Sequence, residues 1–208
     1  MDLDILYQDA QIILCVKPAG VLSEEGGMPE LLRAQTASTQ IYCVHRLDRA
    51  VGGLMVYAKT KEAAASLSGQ IAEGHLEKRY LAVCRGDAPQ QGEMRDLLYH
   101  DAKTNKSYVV KRMRKGVREA VLRYERLERQ GDLSLVRVGL LTGRSHQIRV
   151  QFASRQLPLL GDRRYGGGEG EIALWSSELR FAHPQSGDEL HFCAAPPLKE
   201  PWTHFTTI

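Results

Sequence analysis

At 208 residues the chain is long enough for one large domain or two small halves sharing a core, and 43% hydrophobic with 25% charged residues is ordinary for a globular protein. No apolar run approaches the ~20 residues of a membrane span. The acidic start "MDLDILYQDA" lacks the basic and apolar regions of a secretory signal, and the net charge of +3 excludes nothing by itself. The four cysteines, Cys15, Cys43, Cys84 and Cys193, are widely spaced in apolar contexts, with no CxxC and no Cys/His pair at zinc spacing. Reduced, buried thiols in a cytoplasmic protein, without a metal, are therefore expected.

In chain order, "QIILCVK" (11–17) reads as a strand and "PAG" as the turn after it. "GLMVYAK" (53–59) reads as a second strand. Thr60 is placed to cap a helix that runs to Gly74, with Glu62 in its first turn and Ala63, Leu67 and Ile71 forming one apolar stripe. "RYLAVCR" (79–85) is a strand. "AVLRYERL" (120–127) and "LSLVRVGLL" (133–141) alternate, and "QGD" between them suits a hairpin loop. "SHQIRVQFAS" (145–154) predicts a helix capped by Ser145, with Ile148 and Phe152 on one face. "ELRFAHP" and "DELHFCA" predict a last hairpin around "QSGD". Strands outnumber helices and are mostly hairpin-linked, which gives an α+β class with a largely antiparallel sheet.

Two basic groups and one carboxylate stand out. Between Lys103 and Arg118 lie seven basic residues (Lys103, Lys106, Lys111, Arg112, Arg114, Lys115, Arg118) and no acidic one, with Tyr108 interleaved. Such a run is either a solvated hairpin or a contact for a polyanion such as nucleic acid. A second group, Arg144, Arg149, Arg155, Arg163 and Arg164, favours the polyanion. Asp48 sits before a strand between Arg46 and Arg49. Neighbouring cations favour an ionised carboxylate, and an ionised, positioned Asp can be a nucleophile or a general base. The plainer reading is a turn carboxylate tied to those arginines. Gly52 and Gly53 permit a ligand to approach the backbone, or an unusual φ. "LTGRSHQIRVQFASRQLPLLGDRRYGG" (141–167) packs Arg144, His146, Gln147 and Arg149 at a strand-to-helix junction, where backbone N–H groups can meet a phosphate. Its "GD" and "YGG" read as structural turns.

With these motifs the chain resembles the RluA-type pseudouridine synthases. "HRLD" (45–48) with Gly53-Leu54 and Ala58-Lys59 resembles the family's catalytic motif, and "GRSHQIRV" (143–150) with "GDRRYG" (161–166) its second signature. "VKPAGVLS" (16–23), "EKRYLAVCRG" (77–86) and "FAHPQSGDELHFCAAPP" (181–197) resemble its remaining segments, in family order. The resemblance implies a single catalytic domain over 1–208 with no S4-type RNA-binding module before it. It also implies the pseudouridine synthase fold: two similar halves sharing a long, bent, mostly antiparallel mixed sheet, with the active site in a central cleft. The implied activity is isomerisation of a uridine in ribosomal or transfer RNA. Asp48 would be the nucleophile, Arg149 its ion-pair partner, and Tyr80 the aromatic against the target base. Arg46 would help fill the space of a flipped nucleotide, and His45, Arg144, His146 and Gln147 would shape the site or bind backbone. Two departures mark the chain: Val51-Gly52-Gly53 stands where the family commonly has Thr-Ser-Gly, and Leu174-Trp175-Ser176 where it has Leu-His-Ala. The first departure removes two hydroxyls and is expected to loosen the backbone beside Asp48.

The chemistry suits the residues. Exchanging an N1–C1′ bond for a C5–C1′ bond is redox-neutral, so no cofactor is expected. A carboxylate can attack C1′ or take a proton to give a glycal. The detached base must rotate without escaping, which calls for a stacking surface and exclusion of water. Extruding it costs a few kcal/mol, which phosphate contacts from Lys111, Arg112 and Arg114 would offset. The rivals are a catalytically inactive RNA-binding protein that keeps the fold, and an aspartate-dependent hydrolase. A retaining glycosidase would need a second carboxylate ~5 Å away, and none stands near either motif. RNA is the expected partner, and a monomer the expected state.

Overall fold

Two mainly apolar runs set the frame of the first part of the chain, Ile12–Lys17 and Gly52–Ala58. The latter is buried at every position, as befits a strand covered on both faces. A computed structural model describes residues 2–208. In chain order its elements are β1 (Ile5–Gln8), β2 (Ile12–Lys17), α1 (Met28–Thr36), β3 (Tyr42–Cys43), β4 (Gly52–Ala58), α2 (Lys61–Glu73) and β5 (Glu77–Arg85). There follow β6 (Gln91–Asp101), β7 (Lys106–Val110), β8 (Val117–Gln130), β9 (Leu133–Leu140), α3 (Gln147–Ala153), β10 (Leu174–Ala182) and β11 (Glu189–Cys193). The chain divides into two compact units: Met1–Lys78 with Trp175–Ala195, and Arg79–Leu174 with Pro196–Ile208.

In the first unit the strand order is β1-β2-β4-β10, with β3 on β4 and β11 on β10. β2 runs antiparallel to β4, and β10 runs parallel to it, through Trp175 opposite Gly52 and Ser176 opposite Gly53. The α2 helix starts where Thr60 Oγ1 accepts the Ala63 N–H and ends at Gly74, as its sequence signals predict. Ala63 and Leu67 then pack with Ile12, Leu14, Leu54, Val56, Leu179 and Phe181 into this unit's core, and Ile71 lies half-buried against it. The α1 helix was not anticipated from its sequence. Pro29 opens its first turn, and the Glu30 carboxylate reaches back to the N–H groups of Gly26 and Gly27 at 2.7 and 2.9 Å.

In the second unit the order is β5-β9-β8-β6-β7. β8 and β9 form the expected hairpin, closed by Gly131-Asp132, with a register shift between Arg126 and Glu128. The buried Gln151 side chain ties α3 to the sheet, its amide donating to the carbonyls of Met94 and Ala120 and to Asp96 at 2.7–3.3 Å. Phe152 packs edge-on against Tyr124, ring centres 5.3 Å apart. The basic run 103–118 comprises β7, the turns on either side of it and the first two residues of β8.

Two expectations need correction. Ser145 does not cap α3. His146 holds that position in the left-handed region at φ 55°, and the Gln147 side chain turns back to accept the Arg144 N–H. The cysteines are not all buried, although none is in a disulfide: Cys15 and Cys84 are buried, Cys43 is half-buried and Cys193 is exposed. The reason is β11, whose alternate residues Glu189, His191 and Cys193 face outward while Leu190 and Phe192 face the core. Among the described residues no helix is long and apolar enough to cross a membrane.

Candidate active site

The segment carrying Asp48 is fastened on both sides. The Leu47 N–H donates to Ser23 Oγ and the Ser23 hydroxyl donates to the Leu47 carbonyl, at 3.0 and 2.8 Å. After Asp48 the chain turns, with the Val51 N–H on the Asp48 carbonyl, and the Arg49 carbonyl accepts from Gly20. Beneath this crossing lies Lys17, fully buried at the end of β2. Its ammonium donates to the carbonyls of Pro18, Val21 and Arg49 at 2.9, 2.8 and 3.3 Å. Burial pulls its pKa down to about 8, against the opposing pull of the Asp48 charge. Lys17 was missed as a functional candidate. The signal was present: a lysine that ends an otherwise apolar strand directly before "PAG".

Other residues of the HRLD segment have distinct settings. His45 is buried, and its Nε2 accepts the Val56 N–H at 3.2 Å, which leaves the hydrogen on Nδ1, an atom with no hydrogen-bonding partner among the described residues. Burial, reinforced by Lys78, pushes its pKa down to about 3, so the ring is neutral near pH 7. The arginines flanking Asp48 turn to other groups: Arg46 to Glu24 at 3.1 Å, Arg49 to the Gly20 carbonyl at 2.8 Å. The exposed Arg46 therefore stands at the surface on Glu24.

The glycine pair after Asp48 receives protein rather than ligand. A Cβ added at Gly52 would stand 2.5 Å from Trp175 Cζ3, and one at Gly53, where φ is 117°, 2.3 Å from the Ser176 carbonyl oxygen. Both departures from the family pattern thus fall on one pair of neighbouring strands. The indole of Trp175 lies over the missing side chain of Gly52 and donates to the Ala194 carbonyl at 3.0 Å. Ser176 Oγ donates to the Leu54 carbonyl at 3.0 Å. Where the family's hydroxyls are missing, the Trp175 ring packs against the backbone instead.

The second unit carries Tyr80, Arg144, His146, Gln147 and Arg149. Tyr80 is buried on β5. Arg149 is buried on α3, and its Nε and Nη2 donate to the two carboxylate oxygens of Asp162, both at 2.8 Å. Its guanidinium carbon lies 5.2 Å from the centre of the Tyr165 ring. Asp162, in a turn dismissed as structural, is 1% exposed and fixes the orientation of Arg149. The Tyr165 phenol accepts the Ser107 N–H at 2.8 Å and meets His146 Nδ1 at 2.9 Å. Ser107 Oγ donates to the Ser145 carbonyl and meets His100 Nδ1. Gln147 is buried, its oxygen on Thr142 and the Arg144 N–H and its amide on the Val121 carbonyl. These bonds lock the β9–α3 junction against β7 and β8.

Beside this junction is a cleft of ≈ 260 Å³ lined by Leu98, His100, Ser107, Gly116, Arg118, Gly143, Arg144 and Ser145. It carries two arginines and no carboxylate. Arg144 donates from Nε to the Glu119 carbonyl. Lys111, Arg112 and Arg114 follow in the exposed turn between β7 and β8, with Arg114 over the Tyr99 ring at 5.1 Å. None of the seven basic residues of 103–118 pairs with a carboxylate among the described residues. The second basic group differs from its sequence reading, because Arg149, Arg155 and Arg163 pair with Asp162, Asp96 and Glu169. These carboxylates orient the three side chains within the protein.

Comparison with known proteins gives the family. The RNA pseudouridylate synthase family model matches residues 11–154. The chain belongs to the RluA-type RNA pseudouridylate synthases. A ribosomal large subunit pseudouridine synthase D of Neisseria meningitidis is 32% identical, across 100% of this chain and 61% of that protein. A dual-specificity RNA pseudouridine synthase RluA of Yersinia pestis is 33% identical, across 90% of this chain and 96% of that one. This chain spans about three-fifths of the length of the Neisseria relative. Human RNA Pseudouridylate Synthase Domain Containing 1 shares the fold, with a TM-score of 0.81 at 23% identity over 95% of this chain and 85% of its own.

Proposed function

We propose that this chain isomerises a uridine of ribosomal or transfer RNA to pseudouridine, in the cytoplasm, with Asp48 as the nucleophile. The observation that carries the reading is the setting of Asp48 within a family match that takes in both HRLD (45–48) and GRSHQIRV (143–150). The carboxylate sits on a segment pinned by Ser23 and Leu47, above a buried lysine. A pinned backbone leaves the Asp48 side chain fewer orientations to lose on reaching C1′, which is how positioning lowers a barrier. The base leaves C1′ through N1 as the Asp48 ester forms, rotates, and attacks C1′ through C5, which expels the Asp48 carboxylate; the C5 proton is then lost to solvent and N1 takes one up. Tyr80 is assigned the face of the target base. Arg149, its fork oriented by Asp162, is assigned the positive charge that stabilises the carboxylate chemistry. Arg46 is assigned to the vacated stack, and His45, His146 and Gln147 to shaping the site. RNA backbone is assigned to the cleft of Arg118 and Arg144 and to Lys111, Arg112 and Arg114 in the adjoining turn, all cations that pair with no carboxylate among the described residues. The target is drawn from the ribosomal and transfer RNA substrates named for the relatives.

Tritium release from RNA labelled at uridine C5 tests the reading. The wild-type chain is expected to release tritium and no free uracil, and Asp48→Asn to release none while folding and binding RNA normally. Free uracil would mean a hydrolase, RNA binding without release a binder, and turnover by Asp48→Asn would overturn the nucleophile.

A further inference from the structure

We propose that the β10–β11 hairpin carries a zinc site built from Glu178, His191 and Cys193. The three side chains come from two strands on one face. Cys193 lies directly opposite Glu178 in the register, and His191 is two residues before Cys193, so all three project outward. His191 Nε2 is 2.7 Å from Glu178 Oε1 and 3.5 Å from Cys193 Sγ, and one donor atom from each residue lies within 4.8 Å of the others.

Those separations are the edges of a coordination polyhedron. Tetrahedral zinc at bond lengths of about 2.0 Å to nitrogen and about 2.3 Å to sulfur sets the N···S edge at roughly 3.5 Å. The same geometry sets the N···O edge at roughly 3.4 Å, so the His191–Glu178 contact opens by less than 1 Å to admit the ion. The donor set is thiolate, imidazole and carboxylate, a borderline-soft combination that suits zinc and not magnesium or calcium, which take oxygen ligands. Binding displaces the thiol proton of Cys193 to solvent. The thiolate and the Glu178 carboxylate then balance the two charges of the ion. Arg180, opposite His191 on the same face, is drawn toward Glu189 at 3.6 Å and so does not oppose a site that is neutral when filled. His191 and Cys193 are exposed, which leaves the fourth position to water. The sequence hides this site because finger-type spacing joins ligands along the chain, whereas here a residue thirteen positions earlier completes the set across a sheet.

Cobalt(II) is the probe, because a cobalt–thiolate bond absorbs by charge transfer in the near ultraviolet. The full chain, titrated with Co²⁺ under a non-thiol reductant, is expected to take up one equivalent with that absorption. Zn²⁺ should abolish the absorption at stoichiometric concentration, and Mg²⁺ in large excess should leave it. Cys193→Ser should lose it altogether, and Glu178→Gln should bind Co²⁺ at least about tenfold more weakly. Pseudouridine formation should be the same in both variants as in the wild type. No charge-transfer absorption in the wild-type chain, or the same absorption in Cys193→Ser, overturns the site.

Discussion

Replacing Gly52 by alanine forces a methyl group to a point 2.5 Å from Trp175 Cζ3, 3.1 Å from Cε3 and 3.2 Å from the Lys17 carbonyl oxygen. Overpacking of this kind costs about 1–3 kcal/mol. Removing a strand glycine returns about 0.5–1 kcal/mol, so Gly52→Ala should destabilise by about 1–2 kcal/mol. Trp175→Ala gives up part of an aromatic ring's burial and the bond to the Ala194 carbonyl, at about 2–3 kcal/mol. With the indole gone, only the 3.2 Å approach to Lys17 remains, which a shift of a few tenths of an ångström relieves. Gly52→Ala should then be neutral or slightly stabilising, and the pair should couple by about 1–3 kcal/mol. Guanidinium denaturation followed by far-ultraviolet circular dichroism suits this cycle, since fluorescence would lose one of its two tryptophans. Additivity within about 0.5 kcal/mol would falsify the packing of the indole on Gly52.

Asp162→Asn removes the carboxylate that takes both Nε and Nη2 of the buried Arg149 and should cost about 3–5 kcal/mol in stability, read by denaturation; a loss under 1 kcal/mol would show that the pair does not hold α3. Neutralising Lys111, Arg112, Arg114 and Lys115 together should weaken RNA binding and flatten its log–log salt dependence by about 3, from ~0.7 per single-strand phosphate contact. An unchanged slope would return that turn to solvent. His45 titrates at about 3 when folded, below its ordinary ~6.5. Between those values the unfolded chain binds the extra proton, so this contribution is complete above about pH 6.5 and is lost as pH falls toward 3. In His45→Gln, stability measured by denaturation at stepped pH should fall less steeply through that window; an unaltered slope would refute the buried, neutral ring.

The local signals in the sequence carried far. Thr60, Glu62 and Gly74 bound α2 because caps act within one turn of the chain, and strict alternation marked β8 and β9. The family motifs marked Asp48 and Arg149 as candidates. What escaped depends on partners distant in sequence. Asp162 looked like turn punctuation until its two oxygens met the Arg149 fork, and the charges of Arg155 and Arg163 looked available until Asp96 and Glu169 were placed beside them. The Ser145 misreading arose because a serine before an apolar run is a good cap, whereas here α3 starts one residue later, at a left-handed His146 with no side-chain cap. The glycine pair could not be explained without knowing that residues 175–176 would lie against it.

The parallel pairing of β10 with β4 constrains synthesis as well as stability. When residues 52–54 leave the ribosome, the strand that will shield their outer side is still more than a hundred codons away. Until Trp175 and Ser176 emerge, that end of β4 is an unpaired strand edge whose backbone N–H and C=O groups are open, running into the apolar Leu54–Val56, the kind of surface that recruits other nascent chains. The chain therefore has to keep its first unit waiting, and a slow or chaperoned interval during translation of the second unit is where misassembly of this protein should concentrate.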